Sequence, residues 1–153
     1  MLKILQISDL LCEDYIIDIK SNSKKGALKE LLDVICKSEE ITDCNIFSKA
    51  IFNREKLMST GIGYGIAVPH ARHKSIKDFV LALGRKREGL KYESIDDKPV
   101  KLIFMIGASD KQDKDYIKLL SRIVLRLKNP DFVNKILYAK DSSEIYQIIK
   151  NQP

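Results

Sequence analysis

The chain has 153 residues, of which 44% are hydrophobic and 31% charged, with seven glycines and four prolines. This length allows one compact core and excludes a second catalytic domain, and the composition excludes a disordered or fibrous protein. The 27 Lys and Arg residues exceed the 21 Asp and Glu residues, which gives a net charge of +6. That charge permits an acidic partner or nucleic acid without requiring either, so an enzyme and a binding module both remain open.

The cysteines Cys12, Cys36 and Cys44 are odd in number. They have neither Cys-x-x-Cys spacing nor a nearby histidine cluster, so they do not predict a zinc site. We therefore predict three reduced thiols, no metal and a cytoplasmic protein.

Export and membrane insertion are both disfavoured by the sequence. No apolar run approaches the ~20 residues that a membrane span requires. Near the start, Lys3, Ser8 and Asp9 interrupt any signal-peptide core. We expect a chain that is neither exported nor inserted in a membrane.

Apolar periodicity predicts these elements in chain order: a strand at 16–19, helices over 27–35 and 46–51, strands at 79–83 and 100–106, and helices over 115–128, over 132–137 and from 141 onwards. Ser23, and either Thr42 or Asp43, are the expected N-caps of the first two helices. Asp141 and Glu144 resemble a capping box for the last helix. The two later strands are short and strongly apolar, as strands buried on both faces are. This order predicts a single α/β domain over residues 1–153, with its core at about 10–149.

The helix predicted over 115–128 has two distinct faces. Its expected apolar arc consists of Ile117, Leu120, Ile123, Val124 and Leu127. Its basic stripe consists of Lys114, Lys118, Arg122 and Arg126. Such a stripe would contact nucleic-acid phosphates without reading base sequence. Because aromatic residues are few and no nucleic-acid-binding signature appears, we disfavour nucleic acid and expect a solvated face or one that steers an acidic protein partner.

The segment most informative about chemistry reads STGIGYGIAVPHAR over residues 59–72. Gly61, Gly63 and Gly65 free the backbone for positive φ and close approach, and such loops can present N–H groups to a phosphate. No Lys-Ser/Thr follows, so this is not a Walker loop, and the third glycine comes one residue too early for Gly-x-Gly-x-x-Gly. Nucleotide binding is therefore weakly supported.

The glycines lead into an apolar strand predicted at 66–68, after which Pro69 and His70 stand at the strand end. A neutral imidazole is a competent nucleophile toward phosphorus when a hydrogen bond on one ring nitrogen leaves the lone pair on the other. His70 is thus the candidate nucleophile. The alternative is an ordinary surface or hydrogen-bonded histidine, since the chain offers no partners for a catalytic triad.

Three motifs together resemble a known signature: REK at 54–56, STGIG at 59–63 and GIAVPH at 65–70. At this spacing they resemble the active site of the enzyme IIA domains of the fructose/mannitol family in the bacterial sugar phosphotransferase system, including its nitrogen-regulatory branch. The resemblance extends over essentially the whole chain. It implies a mannitol-type fold, in which a mixed β-sheet is flanked by helices on both faces.

The resemblance also implies an activity without cofactor or metal. The matching histidine, His70, would accept phosphate on Nε2 from the phosphocarrier protein HPr or its nitrogen-branch counterpart, and pass it to a IIB partner or hold it as a regulatory signal. Arg54 would lie against the phosphohistidine, where its planar guanidinium suits two phosphate oxygens; the alternative is a helix-surface cation. The residues expected to shape the pocket are Ser59, Thr60, Gly61, Gly63, Gly65 and Pro69.

The sequence departs from the family at one position. Family members usually carry a second histidine on the helix after the last central strand, and here Tyr116 occupies that place. Tyr116 should point inward and is either a hydrogen-bond donor to phosphate or simply a core aromatic, whereas Lys118 is a poor substitute. His73 is expected to be a solvent-facing loop residue. The missing histidine predicts slower or differently balanced transfer. It also supports a second hypothesis, a binding module with this fold that controls a partner by docking.

Overall fold

The computed structural model describes residues 6–151. The predicted domain limits at 1 and 153, and Lys3 in the signal-peptide argument, lie outside the described residues. The elements are α1 (Ile7–Leu10), a 3₁₀ turn (Glu13–Tyr15), β1 (Ile16–Asp18), α2 (Lys24–Ile35), α3 (Cys44–Leu57), β2 (Gly61–Gly63), β3 (Ile66–Ala67), β4 (His70–Arg72), β5 (Val80–Leu90), β6 (Val100–Ala108), α4 (Asp113–Leu127), α5 (Pro130–Tyr138) and α6 (Ser142–Asn151). Within residues 6–151, none of the helices has the length and apolar character needed to cross a bilayer.

The strands form one mixed sheet in the order β1-β5-β6-β3-β2, and β4 also pairs with β6. The central β5–β6 pair is antiparallel, whereas β1 runs parallel to β5, and β3 and β4 run parallel to β6. The first part of β6 thus pairs with β3 and the last part with β4, and Pro69 lies between β3 and β4 in the chain. The predicted α/β class and mixed sheet are confirmed.

Helices cover both faces of this sheet because the side chains of β6 alternate between two cores. Leu102, Phe104 and Ile106 pack with residues of α4, α5 and α6. Ile103 and Met105 pack on the opposite side with residues of α2 and α3. Apart from the exposed Lys101, the strand is buried on both faces, as its strongly apolar sequence predicts.

Both predicted helix caps in the first half of the chain are present. The Ser23 hydroxyl accepts a hydrogen bond from the Gly26 N–H at 3.0 Å. Of the two candidates for the next cap, Asp43 accepts from the Ile46 N–H at 3.1 Å, while the Thr42 hydroxyl donates to the Ser75 carbonyl. These caps begin α2 and α3 at the expected positions.

The predicted apolar arc of α4 is wrong at one end. Ile117 is 64% exposed, and the buried stripe consists of Tyr116, Leu119, Ile123 and Leu127. Successive residues on a helix are rotated by 100°, so a helix that turns Tyr116 toward the sheet directs Ile117 away from it. The inward orientation predicted for Tyr116 is confirmed.

The first long central strand is longer than predicted. It begins at Val80 and continues to Leu90 through a run of charged residues, whereas the sequence predicts an end at 83. The strand continues because Arg85, only 1% exposed, is fully paired inside the protein. Its Nε and Nη2 donate to Asp18 of β1, and its Nη1 donates to the carbonyls of Ile136 and Ala139.

The prediction of three reduced cysteines is wrong for two of them. Cys36, the C-cap of α2, is joined by a disulfide to Cys44, the first residue of α3, with the Cα atoms 5.7 Å apart. The turn between the two helices brings these residues within the range that a disulfide spans, which their spacing in sequence does not reveal. Cys12 is free and exposed. The cysteines therefore no longer support the predicted compartment, which stays a prediction.

Candidate active site

His70 is the first residue of β4, whereas the sequence predicts it at the end of the apolar strand that precedes it. The preceding apolar run ends as β3 at Ala67, and the Pro69 carbonyl accepts a hydrogen bond from the Ile106 N–H at 3.0 Å. Pro69 has no N–H to donate, so the parallel pairing with β6 is interrupted there and resumes at His70, opposite Ile106. The histidine is therefore held on β4, directly beside the central strand β6.

One nitrogen of the His70 ring is hydrogen-bonded to a backbone carbonyl. Nδ1 lies 2.6 Å from the Val68 carbonyl oxygen, which only accepts hydrogen bonds, so the ring proton resides on Nδ1. Burial lowers the pKa of His70 below its ordinary 6.5, and the positive charge of Arg54 lowers it further, against opposing effects of the Val68 carbonyl and Glu55. The ring is thus neutral at pH 7, with its lone pair on Nε2.

Arg54 lies in the last turn of α3 and is half-buried. Its Nη1 donates to the Met58 carbonyl at 2.6 Å, just beyond the end of the helix. Its charge lowers the pKa values of both His70 and Tyr116, so the guanidinium of Arg54, on α3, lies within electrostatic range of both rings.

Tyr116 lies beside the histidine. The centroids of the Tyr116 and His70 rings are 5.9 Å apart and their planes are inclined by 54°. Burial raises the pKa of the Tyr116 phenol to about 12, against the lowering effects of Arg72 and Arg54. The phenol therefore keeps its proton at neutral pH, while Lys118 is exposed to solvent.

The glycine-rich segment forms a hairpin between β2 and β3. Tyr64 and Gly65, the two central residues of its turn, have φ angles of +60° and +77°, as in a type I′ turn. The N–H groups of Gly61, Gly63 and Tyr64 donate to the side chains of Ser59, Ser94 and Asp96 respectively. These donors are thus already paired within the protein.

The two hydroxyls predicted to line the pocket have partners elsewhere. Ser59 donates to the Glu93 carbonyl. Thr60 is buried, and both its hydroxyl and its N–H donate to the carboxylate of Glu55. His73 lies in the loop after β4, as expected, but it is partly buried, and its Nδ1 accepts a hydrogen bond from the Ser75 N–H at 3.0 Å.

Two neighbours of the site were not singled out from the sequence. Glu55, next to Arg54, accepts hydrogen bonds from Thr60 and Tyr92. It also forms an ion pair with Lys24 at 2.9 Å. Arg72, two residues beyond His70, places its guanidinium carbon 5.1 Å from the centroid of the Tyr116 ring. The motif contains Glu55, but nothing local reveals a partner such as Tyr92, which is 37 residues away.

The described residues also bear on metal binding. In the part of the chain that the structure describes, no three His, Cys, Asp or Glu side chains come together as a metal site would require. The functional groups at the site are a neutral imidazole, two guanidinium groups and a phenol, which suit the binding and transfer of an anionic group.

The sequence profile described as "Phosphoenolpyruvate-dependent sugar phosphotransferase system, EIIA 2" matches residues 10–152. The chain belongs to this family. It is 33% identical to a nitrogen regulatory protein of Bradyrhizobium diazoefficiens, over 97% of each chain. It is 35% identical to the fructose-specific EIIABC component of Bacillus subtilis, where the match covers 95% of this chain but 23% of that longer protein.

Solved structures of this EIIA family share the fold. The nitrogen regulatory protein IIA-Ntr of Neisseria meningitidis superposes with a TM-score of 0.86 at 28% identity, covering 94% of this chain and 98% of that one. The mannitol IIA protein of Escherichia coli gives 0.77 at 19% identity, with 91% of this chain and 98% of that chain covered. The expected mannitol-type IIA fold is thereby confirmed.

Proposed function

We propose that this EIIA protein carries a phosphoryl group on Nε2 of His70. The observation that supports this most directly is the hydrogen bond between Nδ1 and the Val68 carbonyl. It keeps the proton on Nδ1 and the lone pair on Nε2, which is the form of imidazole that attacks phosphorus. The lowered pKa of His70 keeps this form populated at neutral pH.

The proposed step exchanges one phosphorus–nitrogen bond for another. The Nε2 lone pair attacks the phosphorus of a phosphohistidine on the donor, and the donor's phosphorus–nitrogen bond breaks with its electron pair returning to the donor imidazole. Because the transition state needs positioning and charge neutralisation, guanidinium groups such as that of Arg54 can supply them, and no metal or cofactor is required. The proton on Nδ1 stays on the ring throughout, donated to the Val68 carbonyl.

The donor in this proposal is HPr or its nitrogen-branch counterpart, and the acceptor is a IIB protein or a regulated protein. Relatives of both kinds support this pair of roles, since one is named a fructose-specific component and another a nitrogen regulatory protein. This chain also superposes, with a TM-score of 0.79, on a chain of the solved complex of mannitol IIA with phosphorylated mannitol IIB from Escherichia coli. We place the reaction in the cytoplasm, with neither membrane insertion nor nucleic acid involved.

A second candidate is a regulator that docks on a partner without transferring phosphate. Tyr116 favours it, because a phenol with a pKa of about 12 cannot alternate between protonation states at neutral pH as an imidazole does. The two candidates differ in whether His70 becomes phosphorylated.

Intact-mass analysis separates them. The protein is incubated with enzyme I, HPr and phosphoenolpyruvate and quenched at alkaline pH, because phosphohistidine is acid-labile. We expect a gain of about 80 Da, one phosphoryl group, in wild type and in the matched control His73→Ala, and none in His70→Ala. If wild type gains no mass from either HPr or its nitrogen-branch counterpart, while each donor is shown to be competent, the docking regulator is favoured.

A further inference from the structure

Three side chains from two elements meet at the proposed phosphorylation site. His70 and Arg72 are two residues apart on β4, so their side chains lie on the same face of the strand, while Ala71 between them packs into the opposite core. The Tyr116 ring, on α4, contacts both. It lies 5.9 Å from the His70 ring and 5.1 Å from the Arg72 guanidinium carbon.

The charge balance of the site calls for a second cation. A phosphoryl group brings a charge of about −2 at neutral pH. Arg54 supplies one positive charge, and the neutral phenol of Tyr116 supplies none. Arg72 is a second cation that the fold brings to the Tyr116 ring, with its guanidinium carbon 5.1 Å from the ring centroid.

We propose that Arg72 binds the phosphoryl group on His70 together with Arg54, and that the Tyr116 ring holds the Arg72 guanidinium in place. The inference rests on the phosphoryl-carrier function proposed above and assigns a second phosphate-binding residue to it. Strand alternation directs Arg72 to the side of His70, and stacking on an aromatic face limits the orientations of the guanidinium. A planar fork held in this way can donate two hydrogen bonds to one phosphoryl group, which a lysine cannot do.

In the transfer step Arg72 forms and breaks no covalent bond. As the phosphorus moves from the donor nitrogen to Nε2 of His70, Arg72 donates N–H hydrogen bonds to the equatorial oxygens, where the charge is spread. Because these bonds persist after transfer, Arg72 stabilises phosphorylated His70 as well as the transition state. Loss of Arg72 should therefore change the equilibrium of transfer as well as its rate.

The test compares Arg72→Gln and Arg72→Lys with Lys74→Gln, an exposed loop variant that removes the same charge two residues away. Phosphorylated HPr and the protein are mixed at fixed total phosphate, and the fraction phosphorylated at His70 is measured with time and at equilibrium. We expect Arg72→Gln to lower both the rate and the equilibrium constant about tenfold, the effect of one charge-assisted hydrogen bond. Arg72→Lys should recover part of both, and Lys74→Gln should match wild type.

A spectroscopic readout separates phosphate binding from a structural role. In wild type, the Nε–H resonance of Arg72 should shift on phosphorylation of His70, whereas that of Arg87, which lies on β5, should not. Arg72→Gln equal to Lys74→Gln in rate and equilibrium, or an unshifted Arg72 resonance, would overturn the inference while leaving the carrier function intact. Absence of phosphorylation in wild type would overturn both.

Discussion

The phenol of Tyr92 donates a 2.8 Å hydrogen bond to the carboxylate of Glu55, the residue next to Arg54. The same carboxylate accepts from the hydroxyl and N–H of Thr60 and pairs with Lys24. Burial alone raises the pKa of Glu55, but these partners outweigh it and hold the pKa below its ordinary 4.5. The network joins the end of α3 to Thr60 and to the residues after β5, and so supports the position of Arg54.

Replacing Glu55 with Ala should destabilise the fold by about 3 kcal/mol, because the N–H of Thr60 and the phenol of Tyr92 would lose their partner inside the protein. Urea unfolding at pH 7 measures this loss. The exposed Glu39→Ala serves as the control and should remain within about 0.5 kcal/mol of wild type. A Glu55→Ala protein as stable as that control would contradict the structural role.

The pH dependence of phosphoryl acceptance should reflect the lowered pKa of His70. Only the neutral ring attacks phosphorus, so the acceptance rate should hold as the pH falls through 6.5 and decline only near the lower pKa of the folded protein. Single-turnover transfer from phosphorylated HPr, with the His70 ring titrated by NMR, measures both quantities. A rate that halves at or above pH 6.5 while the donor stays active would contradict the neutral-ring assignment.

His70 also makes the stability of the fold depend on pH. Its pKa is lower in the folded chain than in the unfolded one, so the unfolded state binds the proton more readily and stability falls as the pH drops below 6.5. His70→Ala should therefore lose less stability than wild type between pH 6.5 and the folded pKa, as followed by urea unfolding at each pH. Parallel curves for the two proteins would show that the His70 pKa is not lowered.

Restoring a histidine at position 116 should speed transfer. Tyr116→His keeps an aromatic ring against Arg72 and introduces a group that titrates near neutral pH beside His70, so we expect a rate increase of about tenfold. Tyr116→Phe keeps the ring and removes the hydroxyl, so it is the control for packing. Equal rates for the His variant and wild type would indicate that position 116 does not limit transfer.

Arg85 should contribute more to stability than other cations of the sheet. Arg85→Ala would leave the carbonyls of Ile136 and Ala139 without their donor and remove both hydrogen bonds to Asp18. We expect a loss of about 3–5 kcal/mol, against little change for the exposed Lys101→Ala on β6. Thermal unfolding of the two variants checks this, and similar midpoints would contradict it.

The sequence alone was sufficient for most of the helices, for the apolar strand that became β6, and for the cap at Ser23, and it narrowed the next cap to Thr42 or Asp43. These features depend on neighbours a few residues apart, because helical periodicity and capping act within one or two turns. The spacing of the motifs around His70 likewise indicated the EIIA family, which the comparisons confirm.

Only the tertiary structure decided which groups meet. Contacts made by folding place the proton on Nδ1 of His70, pair Glu55 with Tyr92 and bury Arg85 against Asp18. They also bring the Arg72 guanidinium into cation–π contact with Tyr116. The disulfide between Cys36 and Cys44 does so as well. The charged run at residues 85–88 predicts a strand end, because burying a charged side chain costs free energy unless it is paired. The carbonyls that pair with Arg85 lie more than 50 residues away in the sequence, so the sequence does not reveal them.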